Sequence, residues 1–66
     1  MQISVNGELR DFSADATVAD LLETLQLSPR QVAVEINREL VPRERHGEHV
    51  LVAGDQLEIV TLVGGG

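Results

Sequence analysis

Three consecutive glycines, Gly64-Gly65-Gly66, follow the apolar pair Leu62-Val63 and close the sequence. They present one group capable of covalent chemistry, the Gly66 carboxylate. Glycine has no Cβ, so its backbone fits a narrow channel and adopts whatever φ that channel requires. A stretched tail of four residues reaches roughly 10–13 Å from a domain, far enough to enter a partner's active site. A carboxylate is a poor electrophile at neutral pH and must first be activated. Adenylation by ATP, with a magnesium ion in the partner, is the standard route. A sulfur nucleophile attacking the acyl-adenylate leaves a terminal thiocarboxylate, and sulfur then travels on the protein. A glycine end is also compatible with simple fraying. The functional reading is favoured because the glycines are terminal, follow directly on an apolar segment, and have no competitor elsewhere in the chain.

The other side chains offer little chemistry. There is no cysteine, hence no disulfide, thiol nucleophile or thiolate zinc site. There is no lysine either, so the chain offers no side-chain amine for a Schiff base or an isopeptide bond. His46 and His49 are spaced i, i+3, but two imidazoles without a third ligand do not close a metal site, and solvated loop histidines are expected. Asp11, Asp15 and Glu23 are read as surface carboxylates rather than an acid/base pair. No catalytic residue, metal ligand or resident cofactor is assigned.

At 66 residues the chain has room for one domain and one core. A domain of this size buries only about 60% of its unfolded surface, leaving little capacity for a deep pocket beside the core. This weighs against a self-contained enzyme. Five arginines against eleven Asp and Glu give a net charge of −6, which repels nucleic acid and anionic lipid and favours a basic protein partner. The N-terminus has no basic region before an apolar run, and no stretch approaches the ~20 apolar residues of a spanning helix. A cytoplasmic monomer is expected.

The elements that must carry the tail are legible in the hydrophobic pattern. Ile3 and Val5 alternate with polar residues, and Asn6-Gly7 supplies a tight hairpin turn. In the return strand, Glu8 to Ser13, Leu9 and Phe12 fall on opposite faces, and Phe12 is expected inside. Val18, Leu21, Leu22 and Leu25 recur at helical spacing behind a Thr17-x-x-Asp20 capping box. Ser28-Pro29 is expected to stop that helix. Val32, Val34 and Ile36 alternate as a half-buried strand, and Asn37-Arg38 turns into Leu40-Val41. Residues 42–47 read as an exposed loop or single helical turn, followed by the short apolar piece Val50-Leu51-Val52 and a turn at Gly54-Asp55. The last strand runs from Gln56 to about Val63, with Leu57 and Ile59 on one face and Glu58, Val60 and Leu62 on the other. Strand-strand-helix followed by three strands predicts an α+β domain, a ubiquitin-like β-grasp with a mixed twisted sheet packed on one main helix. The helix stripe then meets Ile3, Val5, Val34, Ile36, Leu57 and Ile59. The organisation is a domain at 1–63 and a flexible glycine tail at 64–66.

The Ala16-Thr17-Val18 helix entry, Asp20-Leu21-Leu22, Val34-Glu35-Ile36-Asn37, Val41-Pro42-Arg43-Glu44 and Gly54-Asp55-Gln56-Leu57 precede the Gly65-Gly66 end in an order that resembles the ThiS family of thiamine-biosynthesis sulfur carriers. The resemblance covers essentially the whole chain; the extra Gly64 is a departure. It implies that a ThiF-like enzyme adenylates Gly66 and that a cysteine desulfurase or a rhodanese-type persulfide supplies the sulfur. The thiocarboxylate then goes to a thiazole synthase. Gly65 and Gly66 carry over as tail and acceptor.

Glu58, Val60, Leu62 and Val63 form the expected partner-binding surface, since an exposed apolar patch beside a reactive terminus is a natural docking site. Glu35 and Glu58 would tune its specificity. Two alternatives stay open. One is a molybdopterin-synthase small-subunit type of carrier, and the other is a ubiquitin-like modifier joined to lysines of other proteins. An acyl carrier is disfavoured because Ser13 and Ser28 lack an Asp-Ser-Leu context.

Overall fold

The computed structural model describes residues 1–62. Its elements are β1 (Gln2–Val5), β2 (Glu8–Asp11), α1 (Val18–Thr24), β3 (Val32–Ile36), β4 (Glu39–Val41), a 3₁₀ turn at Arg43–Arg45 and β5 (Gln56–Thr61). The five strands form one sheet in the order β2-β1-β5-β3-β4. The two hairpins, β1-β2 and β3-β4, are antiparallel, and β5 lies between them, parallel to β1 and antiparallel to β3. One helix on one face of this mixed sheet is the β-grasp arrangement expected from the sequence.

The core follows from strand alternation. Ile3, Val5, Val32, Val34, Ile36, Val41 and Leu57 point to one side of the sheet and join Val18, Leu21 and Leu22 of α1 in a single buried cluster. Ala16 and Leu51 complete it, while Leu25 and Ile59 are half-buried against its edge. Phe12 also packs on this cluster, whereas Leu9 is exposed. The register explains the difference: Leu9 pairs with Ser4 and so faces away from the helix, and β2 ends at Asp11 before Phe12.

Both hairpins turn through two residues of positive φ, Asn6-Gly7 (51° and 84°) and Asn37-Arg38 (51° and 73°). This left-handed pair matches the twist of the flanking strands. Asn tolerates it well and Gly without cost; Arg38 accepts some strain there.

The helix begins as the sequence predicts and ends earlier. Thr17 Oγ1 accepts the Asp20 N–H at 3.1 Å, and Asp20 Oδ2 accepts the Thr17 N–H at 2.9 Å, a complete capping box. The helix, however, ends at Thr24, four residues before Ser28. Gln26 adopts φ 59°, its N–H bonds to the Glu23 carbonyl, and the Leu27 N–H bonds to the Leu22 carbonyl at 2.8 Å. This is a Schellman closure with Gln in the position usually held by Gly, and half-buried Leu27 adds the apolar contact that accompanies it. The expectation that Ser28-Pro29 stops the helix is therefore corrected. Pro29 lies beyond a helix already closed by its own carbonyls.

His46 requires a second correction. It is not a solvated loop residue: only 4% of it is exposed. Its Nε2 lies 3.2 Å from the Val41 carbonyl, and its Nδ1 is buried with no partner among the described residues. Backbone accounting explains why the segment folds inward. The first N–H groups of a helix have no partner within it, and the 43–49 segment supplies two: the His49 carbonyl accepts from Val18 and the His46 carbonyl from Ala19. With Thr17 serving Asp20, the helix start is fully bonded. The i, i+3 histidine spacing thus reflects a turn docked on a helix end.

Candidate functional site

The candidate site is the end of β5, from which residues 63–66 continue. Two strands hold β5 differently. On the β3 side the pairing runs without a break from Ile36↔Leu57 to Val32↔Thr61, and the Leu62 N–H then donates to the Gln31 carbonyl at 2.8 Å. On the β1 side the pairing consists of Ser4↔Gln56 and Val5↔Leu57, after which β1 enters its hairpin. There Asn6 continues the ladder: its backbone N–H donates to the Leu57 carbonyl at 2.9 Å. Its side-chain Nδ2 donates to the Ile59 carbonyl at 3.1 Å, and its Oδ1 accepts the Ile59 N–H at 2.8 Å.

The sheet face opposite α1 is open. Alternation along β5 places Glu58 and Val60 on it, beside Glu35 and Ala33 of β3. Val60 is 56% exposed and Leu62 is 47% exposed, large values for branched apolar side chains at the end of a central strand. The face is acidic as well, because Glu35 and Glu58 stand directly opposite one another, an arrangement that costs stability in an isolated sheet. The ion pairs among the described residues, Arg10–Glu8 at 3.7 Å and the Met1 amine with Asp11 at 3.8 Å, lie along β2. Neither neutralises this pair.

The structure thus brings together Glu58, Val60 and Leu62, three of the four residues predicted to bind a partner. The fourth, Val63, and the glycines at 64, 65 and 66 lie outside the described residues. Asp11, Asp15 and Glu23 are all exposed. Sequence reading assigned Asn6 to the turn alone. Its bonds to a strand 53 positions away leave no local signature, since they depend on β5 outrunning β1.

Elsewhere, a shallow cleft of about 790 Å³ lies beside β4, with Leu40, Val50, Val52, Arg45, Glu48 and His49 among its lining residues. It mixes apolar and charged side chains and lies on the far side of β3 from β5. Among the described residues no helix is long and apolar enough to cross a membrane.

Comparison with known proteins agrees with this geometry. The ThiS family model matches residues 3–66. The chain is 36% identical to the sulfur carrier protein ThiS of Escherichia coli over the full length of both. It is 47% identical over 66 residues to a thiazole synthase of Paramagnetospirillum magneticum, spanning 20% of that protein. The crystal structure of the thiamine biosynthesis protein ThiS of Geobacter metallireducens superposes with a TM-score of 0.84 at 32% identity, covering all of both chains. The family match over residues 3–66, together with this agreement in sequence and fold, shows that the chain belongs to the ThiS family of small β-grasp sulfur carriers.

Proposed function

We propose that this sulfur carrier of thiamine biosynthesis works through the Gly66 carboxylate, as a co-substrate of other enzymes and not as a catalyst. A ThiF-like enzyme binds the open face of the sheet and draws the glycine tail into its nucleotide site. There the carboxylate attacks the α-phosphate of magnesium-bound ATP, releasing pyrophosphate and forming an acyl-adenylate. The outer sulfur of a persulfide, carried by a cysteine desulfurase or a rhodanese-type protein, attacks the acyl carbon and expels AMP to give an acyl disulfide. A thiol of the partner then attacks the other sulfur and breaks the S–S bond, so that the carrier leaves as the thiocarboxylate and the partner side is left as a disulfide. A thiazole synthase then takes up the sulfur.

The observation that carries this reading is the end of β5. A strand bonded on both sides ends beside exposed Val60 and Leu62 and the directly opposed Glu35–Glu58 pair, and in sequence the glycines follow directly on Leu62-Val63. An apolar patch with an acidic flank suits a partner that is apolar at its centre and basic at its rim. Support for a thiazole synthase as receiver comes from the thiazole synthases of Paramagnetospirillum magneticum and Magnetococcus marinus, which contain a segment similar to this whole chain.

The test is pyrophosphate exchange into ATP by the activating enzyme, with the natural chain and with a chain lacking Gly65 and Gly66. Exchange that depends on the natural carrier and disappears with the truncated one is expected. Equal exchange with both chains contradicts the assignment of Gly66.

A further inference from the structure

β5 extends beyond the end of β1, and the Asn6 side chain occupies the place of the missing strand. A carboxamide presents an acceptor and a donor in one plane, as a peptide group does, so the paired bonds to Ile59 (2.8 and 3.1 Å) reproduce one further rung of the ladder. They are the last hold on the β1 side before Val60 and Leu62. Asn37 is a natural counterpart. It occupies the same left-handed turn position, with φ 51° like Asn6. Its side chain also makes two bonds near β5, accepting the Gln56 N–H at 3.0 Å and donating to Asp55 Oδ1 at 3.2 Å. It does so at the opposite end of the strand, where β5 begins.

We propose that Asn6 is a positioning residue for the carrier reaction, holding the end of β5 so that Val60 and Leu62 are presented on the open face as the activating enzyme requires. This inference rests on the proposed function. Without the two side-chain bonds, β5 is held beyond Leu57 from the β3 side only, and its end frays. Fraying lowers the fraction of molecules ready to dock. The apparent affinity falls by that fraction, while chemistry in the docked complex proceeds as before.

The experiment compares Asn6→Gly and Asn37→Gly in the full chain, since glycine keeps the left-handed turn and removes only the side-chain bonds. Asn6→Gly should raise the KM of the activating enzyme for the carrier about threefold to tenfold, the loss expected for one or two modest hydrogen bonds, with kcat within about twofold. Hydrogen exchange at the Ile59 amide should quicken as well. Asn37→Gly should leave KM within about twofold of the natural chain, although it removes the same number of side-chain bonds. Equal KM increases in the two variants, or an unchanged KM in Asn6→Gly, overturn the proposal. If Asn6→Gly does not fold, Asn6→Asp decides instead: it keeps the acceptor for Ile59 N–H but sets a carboxylate against the Ile59 carbonyl, and an unchanged KM overturns the proposal. A natural chain that never gains sulfur overturns the carrier reading itself, whereas one that gains sulfur while both variants behave alike overturns only the role of Asn6.

Discussion

At the scale of single residues, His46 serves the fold, whereas Glu58 lies on the face proposed to dock the activating enzyme. His46 is buried and bonds one ring nitrogen to the Val41 carbonyl, while the other has no partner among the described residues. His46→Ala should therefore cost about 2–3 kcal/mol in urea unfolding, from the cavity and the lost bond, with thiocarboxylate formation unchanged at temperatures where the variant is folded. A loss of activity in the folded variant would move His46 into the site. Glu58 has the opposite profile. It faces Glu35 across a strand pair, so Glu58→Gln should stabilise the chain by a few tenths of a kcal/mol while raising the KM of the activating enzyme. These roles were unequally legible in the sequence. Glu58, Val60 and Leu62 follow from strand alternation alone. The burial of His46 depends on where the 43–49 turn docks, and neither composition nor local spacing encodes that.

Among the elements, the helix is short, and its two ends account for much of its definition. Its start has a partner for each of the first N–H groups, from Thr17, His46 and His49. Thr17→Ala should cost about 1 kcal/mol, read from the denaturation midpoint. At its other end Gln26 holds a positive φ that glycine adopts freely, so Gln26→Gly should stabilise the protein by about 0.5–1 kcal/mol. A destabilised Gln26→Gly variant would mean that the Gln26 side chain makes contacts outweighing its backbone strain. The capping box was readable because its two residues lie three apart. The Schellman end was not, since no glycine or asparagine marked it and Ser28-Pro29 offered a stronger stop signal two residues further on. The strands were legible from alternation, and so was the role of both asparagine turns. That each asparagine also grips β5 became visible only with the sheet order, because β5 lies between two hairpins distant in sequence.

The whole molecule is a small acidic body presenting one strand end, with a net charge of −6 that acts over distances set by salt. Association with a basic activating enzyme should therefore slow as ionic strength rises, with kcat/KM falling several-fold between low and high salt while kcat changes little. A salt-independent kcat/KM would mean that the apolar patch alone guides docking. The absence of cysteine and lysine and the glycine-rich end are legible in the sequence alone and carry the proposal of a Gly66 carboxylate, while the acidic balance carries the expectation of a basic partner. The most direct test of the central claim, that Gly66 carries sulfur, is the intact mass of the natural chain after incubation with ATP, magnesium, a cysteine desulfurase, cysteine and the activating enzyme. The expected result is a gain equal to replacing one oxygen by sulfur, localised to Gly66 and missing from a chain without Gly65 and Gly66. An unchanged mass in the presence of a demonstrably active enzyme set, or a mass recording attachment to another protein's lysine, would contradict it.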